Sequence, residues 1–281
     1  MNLIDLHVHS NASDGSLSPR EVVELANEAG LTAIALTDHD TVAGIDEALD
    51  AASSLELTVI PGVELSCIYM EKEIHILGLF IDHKNEVLLR FLTDAASKRK
   101  ERNEKMLESF RSAGFLLTMD DLLCGNPNTI ITRAHFARAL LQKGYVSSVD
   151  QAFKKYLDPG RPFYRKRETI TPEDAVQALL AAGGFVVLAH PCLYKFGWEK
   201  TESLISYLKS LGMKGLECFH SSNNQNESAM LRKLSIKYGL LPTGGSDFHG
   251  AAKPDIRIGF GRGGLRVPDL YLTDIKNSMS P

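Results

Sequence analysis

Along this chain the spacing of apolar residues switches repeatedly between period two and helical period, and that switching predicts its architecture. Leu3-Ile4-Asp5-Leu6-His7-Val8-His9 alternates as a strand does, which puts His7 and His9 on one face. Ser18-Pro19-Arg20-Glu21 then supplies an N-cap, a proline in the first turn and an acid three residues after the cap, opening a helix that stops at Gly30. Thr32 to Thr37 is a short apolar strand, followed by a helix over Ile45 to Ala52 and strands at Leu57 to Pro61 and Glu73 to Ile81. The rhythm resumes at Thr171-Pro172-Glu173-Asp174, another capped helix start, and continues through strands at Phe185 to Ala189, Gly215 to Phe219 and Leu240 to Thr243. Repeated βα units with short buried strands predict an α/β fold with a parallel sheet, closed or nearly closed into a barrel. Residues from Glu86 to Tyr164 have helical periodicity, many charges and no strand pattern. They are expected to form a helical insertion (86–164) between a first barrel part (1–85) and a second (165–281).

Composition narrows the class. With 281 residues, 44% hydrophobic and 23% charged, the chain can bury a core, which excludes disorder, collagen and coiled coil. Thirty-one basic against thirty-five acidic residues give a net charge of -4, so no general footprint for duplex DNA or an anionic membrane exists, and any anionic partner must be held locally. The start of the chain lacks a signal-peptide pattern, and no apolar run reaches the roughly 18 residues of a membrane helix. Four cysteines (Cys67, Cys124, Cys192, Cys218) lie scattered without CxxC spacing, so a reducing cytoplasm is the expected compartment.

The nine histidines carry the chemistry. In a βα barrel the reactive residues sit at the C-terminal ends of strands. His7 and His9 end the first strand, Asp14 follows it, His39 ends the second, Glu64 follows the third and His75 lies on the fourth. His190 and His220 end later strands, and Asp247 and His249 follow the Thr243-Gly244-Gly245 turn; His83 looks incidental. One buried histidine is ordinarily a hydrogen-bonded core residue, but many imidazoles and carboxylates converging on one rim need a compensating positive charge. Imidazole and carboxylate without thiolate suit manganese, iron or zinc, and this many ligands exceed what one ion uses, so two or three ions with a bridging carboxylate are expected.

His7-Val8-His9-Ser10-Asn11-Ala12-Ser13-Asp14-Gly15, Thr37-Asp38-His39, Pro61-Gly62-Val63-Glu64, Ala189-His190-Pro191 and Gly245-Ser246-Asp247-Phe248-His249-Gly250 together resemble the PHP (polymerase and histidinol phosphatase) family. The resemblance spans essentially the whole chain in order. It implies a distorted (β/α)7 barrel whose divalent ions, most readily Mn2+ with Fe2+ or Zn2+ as substitutes, activate a hydroxide that cleaves phosphate esters. It further implies one ion on His7, His9, Glu64 and Asp247, a second on Glu64, His75 and His190, and a third on Asp14, His39 and His249. The third set, Asp14, His39 and His249, would be catalytic and also contact substrate, and His220 would serve either as general acid or as a hydrogen-bond partner within the site.

Substrate choice should lie in the insertion, since rim loops select substrates on such barrels. Lys98-Arg99-Lys100-Glu101-Arg102-Asn103 places Arg99 and Arg102 at i, i+3, a pair suited to phosphate, although a solvated helix face has the same pattern. Thr132 can cap a helix whose first turn presents Arg133 and His135 to an anion. Lys98, Arg99, Arg102, Asn103, Arg133 and His135 are therefore the candidate substrate contacts. Within the family this pattern resembles the group that removes the 3′-phosphate of nucleoside 3′,5′-bisphosphates and trims short 5′-phosphorylated RNA, so the implied partner is a nucleotide or short RNA. Histidinol phosphate or another small phosphomonoester is the alternative substrate, and a non-catalytic regulatory PHP module is the alternative class. An amidohydrolase also begins with HxH, but the later motifs fit it poorly.

Overall fold

The computed structural model describes residues 2–123, 125–127, 129–165, 170–261 and 264–279; Cys124 lies outside them. The chain runs β1 (Leu3–Val8), α1 (Pro19–Glu28), β2 (Leu31–Leu36), α2 (Ile45–Ala52), β3 (Thr58–Tyr69) and β4 (Lys72–Leu79). Helices α3 (Glu86–Ser112), α4 (Met119–Leu123), α5 (Arg133–Gln142) and α6 (Val149–Ala152) follow, α6 running into a π-helical turn at Phe153–Leu157. The last part comprises α7 (Pro172–Ala181), β5 (Phe185–Leu188), α8 (Trp198–Ser210), β6 (Gly215–His220), α9 (Gln225–Tyr238), β7 (Leu241–Gly245), β8 (Val267–Pro268) and α10 (Leu270–Met279).

Helix starts form where the capping signals predict them. Ser18, Thr132 and Thr171 each close a capping box as expected, Asn224 adds a further one at α9, and Gly30 takes the left-handed φ of 74° after α1. The sheet order is β7-β6-β5-β4-β3-β2-β1-β8. Beyond β7 the chain returns to β1: the Asp247 N–H donates to the His7 carbonyl and the His9 N–H to the Phe248 carbonyl, each at 2.9 Å. These two bonds nearly close the barrel.

One expectation fails. The sheet is not wholly parallel, because β4 runs antiparallel to both β3 and β5. Only Met70 and Glu71 separate β3 from β4, with φ of 45° and 64°, the backbone of a two-residue hairpin turn. A parallel return needs a crossover of about a dozen residues, so a link this short forces reversal. β3 also extends to Tyr69, well beyond the predicted end at Pro61, and Glu64 lies within it.

Strand residues alternate between cores as period two requires. Val186 and Leu188 join Ile76, Leu179 and Ile205 under the covering helices, whereas Val187 joins Ile4, Leu6 and Leu77 with Leu272 and Ile275 of α10. The helices after β4 bury a separate cluster containing Met106, Phe110, Phe136 and Phe163, with the rings of Phe110 and Phe163 4.0 Å apart.

Candidate metal centre and its cavity

The strand ends bring the predicted polar residues to one place. Glu64, fully buried, stands at its centre: Oε2 lies 3.3 Å from Nε2 of both His7 and His9 and 3.0 Å from His39 Nδ1. Its other oxygen, Oε1, lies 2.9 Å from His75 Nδ1 and 2.9 Å from His190 Nε2. Asp247 Oδ1 approaches His9 Nε2 at 3.4 Å and His7 Nε2 at 3.7 Å. Asp14 faces His249 Nε2 at 3.1 Å and His39 Nε2 at 3.8 Å.

Among the described residues, four clusters emerge in which the potential ligand atoms lie within 4.8 Å of one another: His7, His9 and Asp247; His7, Glu64 and His190; His39, Glu64 and His75; and His9, Asp14, His39 and His249. The chemistry of the donors fits divalent metal. Buried His7 Nε2, both ring nitrogens of His9, Asp14 Oδ1 and Glu64 Oε2 make no hydrogen bond, as expected of atoms reserved for a cation. His39 belongs to two clusters, joining the Asp14 and Glu64 sides.

The electrostatics show how tightly the groups are coupled. Burial opposes ionisation of Glu64, yet the surrounding histidines hold its pKa well below the carboxylate range. Asp14 and Asp247 behave likewise, Asp247 with help from Lys253. Burial works against protonation of His9 and His75, but Asp247 and Glu64 raise His9 to about 9, and Glu64 and Glu73 raise His75 to about 10. Burial lowers His190 and His249 to about 4.

Several supporting residues escape sequence reasoning. Glu217 Oε1 lies 3.0 Å from His7 Nδ1, and Oε2 accepts the His190 N–H at 2.6 Å, which fixes His7 with Nε2 toward the centre. Asp5 accepts from the Ser246 N–H and hydroxyl and from the Gly259 N–H. Asp38 accepts from the Ser10 N–H and from the hydroxyls of Ser10 and Ser13, shaping the loop that carries Asp14. Lys253 Nζ lies 2.6 Å from Asp247 Oδ2. The buried acids in β1 and β6 were the available signal, since Asp5 alternates with His7 and Glu217 sits inside an apolar strand. At the site Asp40, His190 and Asp247 take positive φ of 52°, 25° and 57°, backbone strain concentrated where side chains must be aimed.

His220 stands beside the clusters. Its Nδ1 accepts the Ser222 N–H at 3.2 Å and lies 2.7 Å from the Ser222 hydroxyl, while Nε2 faces Asp247 Oδ2 at 3.4 Å. His83 is remote, pairing with Asp46 at 2.8 Å on the surface.

A cavity of about 230 Å³ opens above the centre, lined by Asp14, His39, His75 and His249 and by Arg99, Arg133 and Lys253. Asp14, His39 and His249 line it as predicted, and of the six substrate contacts expected from the insertion Arg99 and Arg133 reach it. Arg99 is buried and bonded to Asp40 and to the Ser66 hydroxyl, and Arg133 pairs with Glu73 at 3.0 Å. The other four are placed elsewhere. Lys98 pairs with Asp94 at 2.8 Å and borders a different surface hollow, because one step along α3 turns about 100° away from Arg99. Arg102 is buried on α3 without lining the cavity. Asn103 donates to the Ile131 carbonyl at 2.9 Å, tying α3 to the approach of α5. The His135 ring is drawn into the cap of α5, where Nδ1 accepts the Thr132 N–H at 3.0 Å.

A family model described as PHP domain matches residues 5–166. The chain is 37% identical over 248 residues to a 3′,5′-nucleoside bisphosphate phosphatase of Chromobacterium violaceum, covering 88% of this chain and 87% of that protein. It is 34% identical over 249 residues to the 5′-3′ exoribonuclease Rnm of Escherichia coli, covering 88% of this chain and 85% of that protein. Among solved structures, one described as an amidohydrolase from Chromobacterium violaceum with bound sulfate and no metal superposes with a TM-score of 0.87 at 34% identity, covering 97% of this chain and 96% of that one. Motifs, barrel and histidine–carboxylate centre agree with these likenesses, and the chain belongs to the PHP domain family of phosphoester hydrolases.

Proposed function

We propose that this enzyme removes the 3′-phosphate of nucleoside 3′,5′-bisphosphates and acts by the same chemistry on short 5′-phosphorylated RNA. The observation that carries the reading is Glu64, whose two oxygens face separate histidine sets beneath a cavity bordered by Arg99, Arg133 and Lys253. The relatives named for a nucleoside bisphosphate and for 5′-3′ RNA cleavage support it, as does the sulfate in the structural neighbour, a tetrahedral oxyanion like phosphate.

His7, His9, Glu64 and Asp247 would hold one divalent ion, Glu64, His75 and His190 a second, and Asp14, His39 and His249 a third. Bound divalent ions supply acidity to water at neutral pH and positive charge to phosphoryl oxygens. Imidazole and carboxylate donors without thiolate suit Mn2+, Fe2+ or Zn2+, and supply decides among them, with Mn2+ the ion we propose. The protein's own residues do the rest. In either substrate a water oxygen bonds to phosphorus and the P–O3′ bond breaks, a proton ending on the 3′-oxygen. Arg133, held by Glu73, and Arg99, held by Asp40, border the cavity where the second phosphate would sit. Residues 86–164 thus act as the specificity insertion. His220 keeps its Nε2 toward Asp247 and serves as a positioning residue. No disulfide joins the described cysteines, Cys67, Cys192 and Cys218, which supports a cytoplasmic setting, and no described helix is long and apolar enough to cross a membrane.

A phosphate-release screen with Mn2+ across nucleoside 3′,5′-bisphosphates, histidinol phosphate, cyclic nucleotides and short 5′-phosphorylated RNA tests this. Nucleoside bisphosphates should have the highest kcat/KM. A preference for histidinol phosphate would overturn the substrate reading, since its amine would have to enter a cavity bordered by Arg99, Arg133 and Lys253. Full activity in protein stripped of metal would overturn the mechanism.

A further inference from the structure

A second cleft, of about 820 Å³, lies between α5, α6 and the loops after β1 and β7. It shares Val149 and Ala252 with the smaller cavity, so the two adjoin. A side-chain path also links them: the Thr132 hydroxyl donates to Asp14 Oδ2 at 3.0 Å, and the Thr132 N–H donates to His135 Nδ1. Because Nδ1 is an acceptor, the His135 proton sits on Nε2, and the ring lines the second cleft. Burial and the nearby Arg138 hold His135 down to about 4, so it offers a neutral N–H.

Arg138 is the one lysine or arginine among the described lining residues, and its Nε makes no hydrogen bond. The rest of the wall mixes amide and hydroxyl groups, including Asn11, Asn126, Gln142 and Ser147, with apolar side chains and the carboxylates of Asp255 and of Asp150, the latter paired with Lys154. Such groups match ribose hydroxyls and base edges, and a single guanidinium suits one backbone phosphate. Apart from His135, no aromatic ring among the described residues lines the cleft, so it lacks the stacking platform that grips long strands.

The chemistry supplies a reason for the space. When the P–O3′ bond of the first nucleotide breaks in RNA, the rest of the strand stays esterified to the phosphorus and leaves as a 5′-phosphorylated product. That remainder must lie beside the metal centre, and the 230 Å³ cavity is smaller than the usual ligand site of about 300–1,000 Å³, whereas the 820 Å³ cleft falls within that range. Resting on the function proposed above, we infer that the second cleft binds the nucleotide on the far side of the scissile phosphate. The polymer substrate is then a short single strand engaged over one or two nucleotides beyond the cut.

The test compares kcat/KM for adenosine 3′,5′-bisphosphate and for 5′-phosphorylated diadenylate in the Mn2+-loaded enzyme. Arg138→Gln and Gln142→Trp should each lower the dinucleotide value about tenfold and change the bisphosphate value less than about twofold. Gln142 is exposed, so if Arg138→Gln fails to fold the tryptophan variant alone decides. Equal losses on both substrates would place the nucleoside of the bisphosphate itself in the cleft and overturn the inference, as would no loss on either. Wild-type enzyme that hydrolyses the bisphosphate but not the dinucleotide defeats only this inference; inactivity on both defeats the functional reading beneath it. Trimers and tetramers should stay within about threefold of the dimer, and a gain of about tenfold with every added nucleotide would contradict so confined a cleft.

Discussion

Glu64 serves five imidazoles with two oxygens, and its charge, more than its shape, should matter. Glu64→Gln should cut turnover at least about a thousandfold, since a near-isosteric amide cannot bridge cations, whereas His83→Ala should leave kcat unchanged. Steady-state phosphate release checks both. Glu217→Gln removes the carboxylate that holds His7 and should weaken metal affinity about 10- to 100-fold, readable by metal titration. Against burial, Asp247 and Glu64 raise His9 to about 9, and Glu64 and Glu73 raise His75 to about 10, so ion uptake at pH 7 should displace protons. Calorimetry at pH 7 in buffers of different ionisation enthalpy should register that release, and buffer-independent heats would contradict it. His7 and His9 were legible because alternation alone puts them on one face. The directions of Lys98 and Asn103 were not, because spacing along α3 does not tell which side meets the barrel.

The second half of α3 with α4, α5 and α6 stands on its own cluster, so damage there should separate stability from chemistry. Phe110→Ala empties a site shared with Phe136 and Phe163 and should cost about 3–5 kcal/mol, measured by denaturant unfolding. His135 adds a pH signature to the same region. Its folded pKa near 4 lies below the ordinary 6.5, so between these values the unfolded chain binds a proton that the folded chain refuses. Its contribution is therefore present above pH 6.5 and lost as pH falls toward 4. The stability difference between wild type and His135→Leu should shrink over that window; a pH-independent difference would show that the ring is not held neutral. Capped helix starts were readable because Ser, Thr and Asn side chains act within about four residues. The reversal of β4 was not, because an apolar strand carries no mark of its direction; only the short Met70-Glu71 link does.

For the whole molecule the decisive contact is the seam where β7 meets β1. A methyl group on Gly245 would come within 2.4 Å of His7 Cβ, and Asp5 anchors the same seam through Ser246 and Gly259. Gly245→Ala should therefore lower the melting temperature and metal uptake together, while Asp5→Asn should cost about 1–3 kcal/mol by leaving buried donors unmatched. That a barrel would form was legible from the repeating βα units. How it closes was not, because the seam joins residues 241 positions apart, Asp5 and Ser246, through contacts with no local sequence signature.

The β3–β4 hairpin outruns its neighbours. β2 pairs with β3 as far as Pro61, the chain after β2 continues that pairing to Glu64 through His39, and β5 pairs with β4 from Ile76 onward, so the outer part of the ribbon carries Ser66, Glu73 and His75 up as one wall of the cavity. Side chains on a ribbon alternate between faces. One residue inserted in either arm would turn these groups away from the mouth, while two per arm would restore them and raise the wall by about 7 Å. The depth of the mouth can consequently change only in discrete steps, which makes hairpin length a ratchet for substrate size that point substitutions cannot reproduce.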